Sequence, residues 1–338
     1  MTRIPFRLLA AVFVSAALVL AQDPEYQIKV DVPFVSVDVT VHDAAGKTLN
    51  NLSKSAFMVR ENGVPQEIVH FLPVSTPYNI LLLFDRSGST QDKWLLMQRA
   101  VAGFIANLRP QDRVAIATFD DELQVQLPWT GDRKKALLVL PQLLHPYRIG
   151  GTEFYRSVER TLRREFKKTN GRQALVVLTD GRDTSFHKDV LNRERVRQPK
   201  EDKTFQNALK AARTQNVPIY FIAFNTDKNL VPNVMGGDEY RTLRKIFPQS
   251  NIADLYLTGV RIRMEELAGT SGGRMLYPER LEDIVPVYQQ VGAELGTSYT
   301  LGYISSNAAT DGAFRRIEVQ AREEGLRLTQ SRSGYYAK

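Results

Sequence analysis

The stretch that decides the fold is Tyr78–Thr90, YNILLLFDRSGST, in which an apolar run ends in an aspartate, two alternate serines and a glycine. The run Ile80–Phe84 is short and continuously apolar, which is typical of a strand buried on both faces of a parallel sheet. Asp85, Ser87 and Ser89 follow at every second position. One carboxylate and two hydroxyls can therefore converge at the carboxyl end of this strand, and such oxygen ligands suit a hard cation such as Mg²⁺.

The D-x-S-x-S pattern is short and consists of ordinary turn residues, so its weight depends on two further stretches. A G-G-T sequence ending at Thr152 precedes a helical segment, and Ala174–Asp180, ALVVLTD, is a second buried-type strand that leads into T-D-G. Together, these motifs resemble the metal-ion-dependent adhesion site of von Willebrand factor type A domains, whose fold is shared with integrin I domains. All three motifs occur in the order and at roughly the spacings of that family.

The resemblance implies a role for each candidate residue. Ser87 and Ser89 would bind the cation directly, Thr152 directly or through water, and Asp85 and Asp180 mainly through water or as acceptors that orient the hydroxyls. The cofactor is expected to be Mg²⁺, with Mn²⁺ or Ca²⁺ as alternatives. With no carboxylate bound to it directly, the cation would favour an anionic oxygen as its last ligand. The family's typical ligand is an Asp or Glu side chain of a partner protein.

From Tyr78 onward, strand-like and helix-like patterns alternate, which predicts a doubly wound α/β domain with a mostly parallel six-stranded sheet. Leu123–Leu127 follows its predecessor after too few residues for a crossover helix, so it is predicted to be an antiparallel edge strand. This detail also fits the Rossmann-like von Willebrand A pattern. Strands are predicted at Ile80–Phe84, Arg113–Phe119, Leu123–Leu127, Ala174–Thr179, Ile219–Phe224 and Arg274–Leu276, and helices at Lys93–Leu108, Arg133–Leu144, Phe154–Lys168, Thr204–Gln215, Arg261–Ala268 and Leu281–Leu295.

Short strand patterns flank this domain on both sides, and neither group is large enough to bury a core alone. The two groups are therefore predicted to pair into one immunoglobulin-like (Ig-like) β-sandwich, with two independent β flaps as the alternative. The whole chain resembles an exported bacterial family of von Willebrand A-related proteins, including the ending SYTLGY…FRRIEVQA…SGYYA. The strand candidates are residues 28–41 with a bend at Pro33, a weaker pattern at 52–61, Val64–Phe71 after an Asn-Gly turn, Ser298–Tyr303, Phe314–Ala321 and Leu326–Arg332.

The amino terminus predicts export. Arg3 and Arg7 precede an apolar run of about 13 residues, which is shorter than the ~20 residues that a spanning helix needs, so a cleaved signal peptide is expected. An uncleaved anchor is the alternative. The mature protein is expected in the periplasm or outside the cell, where nucleic acid is not an expected partner. The predicted organisation is a signal peptide at 1–21, a β segment at 22–76, the von Willebrand A domain at 77–296 and a second β segment at 297–338.

Composition and motif spacing argue against most catalytic chemistry. The chain has no cysteine, which excludes disulfides, thiolate metal sites and a cysteine nucleophile. Its four histidines are scattered without catalytic or metal-binding spacing. We therefore expect a non-enzymatic, metal-dependent binding module. The alternatives are a metal-assisted hydrolase or phosphatase on the same scaffold, disfavoured because Ser87 stands where a second acid is needed, and a scaffold that binds partners without metal.

Three further features lie near or between the motifs. Arg86, inside the first motif, is expected to point to solvent, as long basic side chains often do, with recognition of an acidic ligand as the alternative. Asp183 is expected to cap a turn or a helix. The 226–260 connection is long for an α/β domain and is expected to be a surface insertion or a short helix near 239–247.

Overall fold

The strands of the computed structural model follow the apolar patterns of the sequence; the structure describes residues 34–87, 90, 94–144, 151–186, 197–215, 217–223, 245, 252–278 and 281–337. The predicted signal peptide, residues 28–33 of the first predicted strand with its bend at Pro33, Ser89 and most of the predicted 226–260 connection lie outside these residues. The strands are β1 Phe34–His42, β2 Phe57–Glu61, β3 Val64–Gln66, β4 Ile68–Leu72, β5 Tyr78–Asp85, β6 Arg113–Phe119, β7 Leu123–Thr130, β8 Arg172–Thr179, β9 Ile219–Ala223, β10 Arg274–Leu276, β11 Ser298–Ile304, β12 Phe314–Ala321, β13 Arg327–Gln330 and β14 Gly334–Tyr336. The α-helices are α1 Trp94–Asn107, α2 Arg133–Val139, α3 Phe154–Arg160, α4 Lys203–Gln215, α5 Ile252–Ser271 and α6 Ile284–Thr297.

Six of these strands form the central sheet, in the order β10-β9-β8-β5-β6-β7. All neighbours are parallel except β6 and β7, which are antiparallel, as the short connection between them predicts. The winding direction reverses between β5 and β8, which lie side by side. In open α/β sheets, the carboxyl ends of the strands at such a point form the ligand-binding crevice. The predicted doubly wound α/β fold is therefore confirmed.

Side chains of β5 alternate between two hydrophobic layers. Ile80, Leu82 and Phe84 pack with α1 and α6 on one face of the sheet, whereas Leu81 and Leu83 pack with α3, α4 and α5 on the other. Every residue of β5 is buried, which explains why its sequence is a continuous apolar run. Across the described residues, no helix combines the length and the apolar character needed to cross a membrane.

Two four-stranded antiparallel sheets, β13-β1-β11-β4 and β14-β12-β2-β3, combine strands from the two predicted β segments. β1 pairs with β11 and β13, and β2 pairs with β12, so the amino-terminal strands depend on carboxyl-terminal partners. One core joins the two sheets and includes Val37, Phe57, Tyr299 and Ile317. The predicted sandwich is confirmed, and the alternative of two independent flaps does not hold.

The sandwich lies against the amino ends of the central strands. The Tyr78 hydroxyl donates to Asp38 Oδ2 of β1 at 3.2 Å. Arg172 Nη2, at the start of β8, donates to the Tyr78 hydroxyl at 2.9 Å and to Ser298 Oγ at 2.7 Å. The sandwich therefore contacts the edge of the sheet opposite the predicted metal site.

Two strand predictions differ from the structure. Val64–Phe71, predicted as one strand, is two strands in different sheets, because β3 pairs with β2 while β4 pairs with β11. The chain changes sheets between Gln66 and Ile68, and a period-2 pattern does not reveal such a crossing. The carboxyl-terminal segment also contains a fourth strand, β14, whose three residues are too few to show a period.

Helix α5 is longer than predicted. It begins at Ile252 rather than at Arg261, so the end of the predicted 226–260 connection is helical. Thr258 and Gly259 are weak helix formers, which explains the late predicted start. Tyr256 is fully buried and packs in the core with α3 and α4, and tertiary packing of this kind overrides local propensity.

Candidate metal centre

Asp85 is the last residue of β5, and its carboxylate is fully buried at the carboxyl end of the sheet. Its Oδ1 accepts a hydrogen bond from the backbone N–H of Ser87 at 2.9 Å. Its Oδ2 accepts one from the Thr179 hydroxyl, at the end of the neighbouring β8, at 2.6 Å. These two bonds fix the carboxylate between the first and third sequence motifs.

A second carboxylate lies close enough to perturb Asp85. Burial raises the pKa of Asp85 to about 7, and the negative charge of Asp180 adds to this rise. Hydrogen bonds from Ser87 and Thr179 act in the opposite direction. Two buried carboxylates that repel each other form a site that gains stability from a cation placed beside them.

Asp180 follows β8 and is also fully buried. Its Oδ1 accepts a hydrogen bond from the Arg182 backbone N–H at 3.2 Å. Its Oδ2 receives no hydrogen bond from any described residue, and Arg182 Nε lies 3.4 Å from it. A buried carboxylate oxygen without a donor is costly unless a ligand satisfies it. This oxygen fits a direct or water-mediated contact with a cation.

Gly151 of the second motif and Gly181 of the third are packed closely against neighbouring side chains. Gly181 has φ +74°, and a Cβ atom at this position would collide with the side chains of Met264 and Val260 on α5. A Cβ atom on Gly151 would lie 2.8 Å from the Thr184 hydroxyl. The loops that carry Asp180 and Thr152 can therefore approach their neighbours only because these positions lack side chains.

Thr152 is held between two other loops of the same edge. Its backbone N–H donates to the Thr184 hydroxyl, and its carbonyl accepts from the Thr184 N–H at 2.9 Å. The next residue, Glu153, donates its N–H to the Asp120 carbonyl at 2.7 Å. Within the described residues, no hydrogen bond joins the Thr152 side chain to Asp85 or Asp180. The structure thus brings the three motif loops together at one edge.

The first motif loop is described on both sides of Ser89, which itself lies outside the described residues. The Thr90 hydroxyl is buried and lies 2.9 Å from the carbonyl oxygens of both Asp85 and Ser87. It also accepts a hydrogen bond from Trp94 Nε1 at 3.1 Å. These contacts join Thr90 to the end of β5 and to the first residue of α1.

Arg86 was predicted to point to solvent, and this prediction is wrong. Its side chain is only 12% exposed, and its Nη2 lies 3.0 Å from Asp120 Oδ2 at the end of β6. Burial would raise the pKa of Asp120, but hydrogen bonds from Glu122, Asp121 and Arg86, together with the charge of Arg86, lower it below its usual value. A nearby fixed carboxylate therefore determines where the long basic side chain lies.

Sequence reasoning did not identify two residues that contact the first motif, Asp120 through Arg86 and Thr179 through Asp85. Asp120 directly follows β6, the strand beside β5, and this position at a strand's carboxyl end is the signal that identifies it.

Asp183 behaves as a cap, because it accepts from Ser185 N at 2.9 Å and Ser185 Oγ at 2.6 Å. It also accepts from the N–H of Tyr155 on α3.

The family assignment rests on a match that spans these motif loops. The family model for the von Willebrand factor type A domain matches residues 79–256. The chain belongs to the von Willebrand factor type A domain family. In this von Willebrand A domain, β10 and α6 lie beyond the matched residues, yet β10 pairs with β9 in the same sheet and α6 packs on α1.

Several solved structures are similar to this chain. One is von Willebrand factor type A from Catenulispora acidiphila, with 12% identity and a TM-score of 0.45 over 90% of this chain and 73% of that chain. Another is BatB from Bacteroides thetaiotaomicron, with 17% identity and a TM-score of 0.39 over 64% and 98%. A third is the vWF domain of the type V pili tip protein Mfa5 from Porphyromonas gingivalis, with 11% identity and a TM-score of 0.42 over 64% and 94%.

Proposed function

We propose that this protein is an exported, non-enzymatic binding module that captures an acidic side chain of a partner protein through Mg²⁺. The observation that carries the proposal is the pair of buried carboxylates at the carboxyl edge of the sheet. Asp180 Oδ2 has no hydrogen-bond donor among the described residues, and the charge of Asp180 contributes to the raised pKa of Asp85. A divalent cation would provide a partner for this oxygen and would offset the repulsion between the two carboxylates.

The donor set is made of oxygen atoms, as Mg²⁺ requires, with Mn²⁺ or Ca²⁺ as substitutes. Ser87 and Thr152 would hold the cation together with Ser89, while Asp85 and Asp180 orient these ligands or bind through water. When bound, the cation supplies Lewis acidity and an open position that favours an anionic oxygen. An Asp or Glu of a partner is the ligand of that chemistry.

The geometry of Asp85 disfavours a phosphatase. Both of its oxygens accept hydrogen bonds, one from Ser87 N and one from Thr179 Oγ1, so the carboxylate is engaged in positioning its neighbours. A nucleophilic aspartate needs an oxygen directed at substrate and a second acid as proton donor. In the described part of the chain, no three acidic or histidine side chains cluster as a metal site, and the proposed ligands include hydroxyls instead.

The test is metal-dependent capture of a partner. The purified mature protein is immobilised, exposed to an envelope extract in Mg²⁺ or in EDTA, and its bound proteins are identified by mass spectrometry. Capture should require Mg²⁺ and should be lost in Thr152→Ala, which keeps the fold but removes a proposed ligand. Changing one Asp or Glu of the captured partner to Ala should abolish binding.

A partner that binds equally well in EDTA and to Thr152→Ala would contradict the proposal. Such a result would instead favour binding through another surface, for which the β-sandwich is the main candidate.

A further inference from the structure

Arg182, the residue after the T-D-G motif, contacts the proposed donor set directly. Its side chain is 10% exposed, and its Nε lies 3.4 Å from Asp180 Oδ2. Its backbone N–H donates to the other oxygen of the same carboxylate at 3.2 Å. The backbone and the side chain of Arg182 therefore both contact the Asp180 carboxylate.

This contact gives Asp180 a positive charge from within the protein. Asp180 is fully buried, and its Oδ2 receives no hydrogen bond from the described residues, so this ion pair is the compensation that the structure shows for that oxygen. Arg182 thus places a positive charge beside the carboxylate, which a bound cation would have to share or displace.

We infer that Arg182 is a built-in competitor of the divalent cation, and that it makes metal binding depend on an acidic ligand. The inference rests on the proposed function. A divalent cation bound beside the Asp85 and Asp180 carboxylates would balance their two negative charges, and Arg182 adds one positive charge to that site. The carboxylate of a partner would neutralise this charge, so cation and partner would each strengthen the binding of the other.

Arg86 provides a matched control. It carries the same charge within the first motif and is buried to a similar extent, with a side chain that is 12% exposed. Its ion pair is with Asp120, which is outside the proposed donor set. Removing Arg86 therefore tests the general effect of losing a nearby positive charge, whereas removing Arg182 tests the specific contact with Asp180.

The experiment is calorimetric titration of MgCl₂ into full-length mature protein at constant ionic strength, after EDTA treatment and dialysis. Wild type, Arg182→Gln and Arg86→Gln are compared. Arg182→Gln should bind Mg²⁺ about tenfold more tightly or better than wild type, which corresponds to about 1.4 kcal/mol. Arg86→Gln should stay within about twofold of wild type, because its partner is not a proposed ligand.

Thermal unfolding is a second measurement, and it distinguishes competition with the cation from a purely structural role of Arg182. In EDTA, Arg182→Gln should unfold at a lower temperature than wild type, because Asp180 loses its counter-ion. In saturating Mg²⁺ the difference should disappear or reverse, since the cation replaces the lost charge. A structural role alone would give the same loss in both conditions.

The inference is wrong if Arg182→Gln and wild type bind Mg²⁺ equally, or if Arg86→Gln tightens binding as much, and in both cases the proposed metal site would survive. Absence of Mg²⁺ binding in wild type and in Arg182→Gln would overturn the metal site itself. If Arg182→Gln does not fold, Arg182→Met replaces it. That variant keeps a long side chain but removes the charge beside Asp180, so it should bind Mg²⁺ more tightly than wild type, and an affinity equal to wild type would count against the inference.

Discussion

Buried carboxylates lie in the interior of the β-sandwich and at the carboxyl edge of the central sheet, and they differ in how many hydrogen-bond donors surround them. Glu61 in the sandwich accepts hydrogen bonds from Tyr303 and Tyr335 on Oε2, at 2.8 and 2.9 Å. Its Oε1 accepts from Ser305 at 2.7 Å and faces buried Arg315 at 3.4 Å. Asp180, in contrast, has an oxygen without any hydrogen-bond donor among the described residues.

The difference separates a region built for stability from a region suited to a ligand. The donors to Glu61 come from β11, β12 and β14, so this one carboxylate joins an amino-terminal strand to the carboxyl-terminal strands. A fully satisfied buried network rigidifies the structure around it. Asp180 and Asp85 destabilise the region around them, because the cost of burying two carboxylates that repel each other is not fully compensated. Groups of this kind are found where proteins bind ligands.

The largest expected effect comes from removing residues 298–338. Because β1 and β4 pair with β11, and β2 pairs with β12, the truncated chain should lose the protected structure of its amino-terminal strands. Hydrogen exchange of the amides in Phe34–His42, compared between truncated and full-length protein, measures the effect. Equal protection in both proteins would show that the amino-terminal segment folds independently.

A smaller effect is expected from Glu61→Ala. The change removes the nearer and buried carboxylate partner of Arg315, and loss of one member of a buried ion pair costs about 3–5 kcal/mol. Asp180→Asn is the matched change at the other site. In EDTA it should alter the free energy of unfolding by about 1 kcal/mol or less, because relief of repulsion with Asp85 offsets the lost contact with Arg182. Urea unfolding of both variants in EDTA checks the contrast, and equal losses would remove it.

The fold followed from the sequence where the pattern was long and the packing uniform. The continuous apolar run at Ile80–Phe84 predicts a strand buried on both faces, and β5 has that environment. The crossing between Gln66 and Ile68 gave no comparable signal, because the apolar pattern continues where the chain leaves one sheet for the other. The predicted start of helix α5 was too late because Thr258 and Gly259 have weak helix propensity. In the structure, burial of Tyr256 outweighs that weak propensity.

The site was predictable as a set of loops but not as a network of contacts. Asp85 ends strand β5, and Thr152 and Asp180 stand in loops that the structure brings to the same end of the sheet. Their motifs could be recognised in the sequence because each one follows or precedes a regular element. The ion pairs of Arg86 and Arg182 could not be predicted from the sequence. The direction of a long basic side chain depends on which carboxylate the fold places nearby, and Asp120 lies far from Arg86 in sequence.

The most direct test of the central claim is calorimetric titration of Mg²⁺ into wild type and into the double variant Ser87→Ala with Ser89→Ala. The claim is that the carboxyl edge of this von Willebrand A domain holds a divalent cation through hydroxyl oxygens. Wild type should bind with an affinity between micromolar and millimolar, and the double variant should show no binding heat while keeping its fold by circular dichroism. Unchanged binding in the double variant would contradict the site.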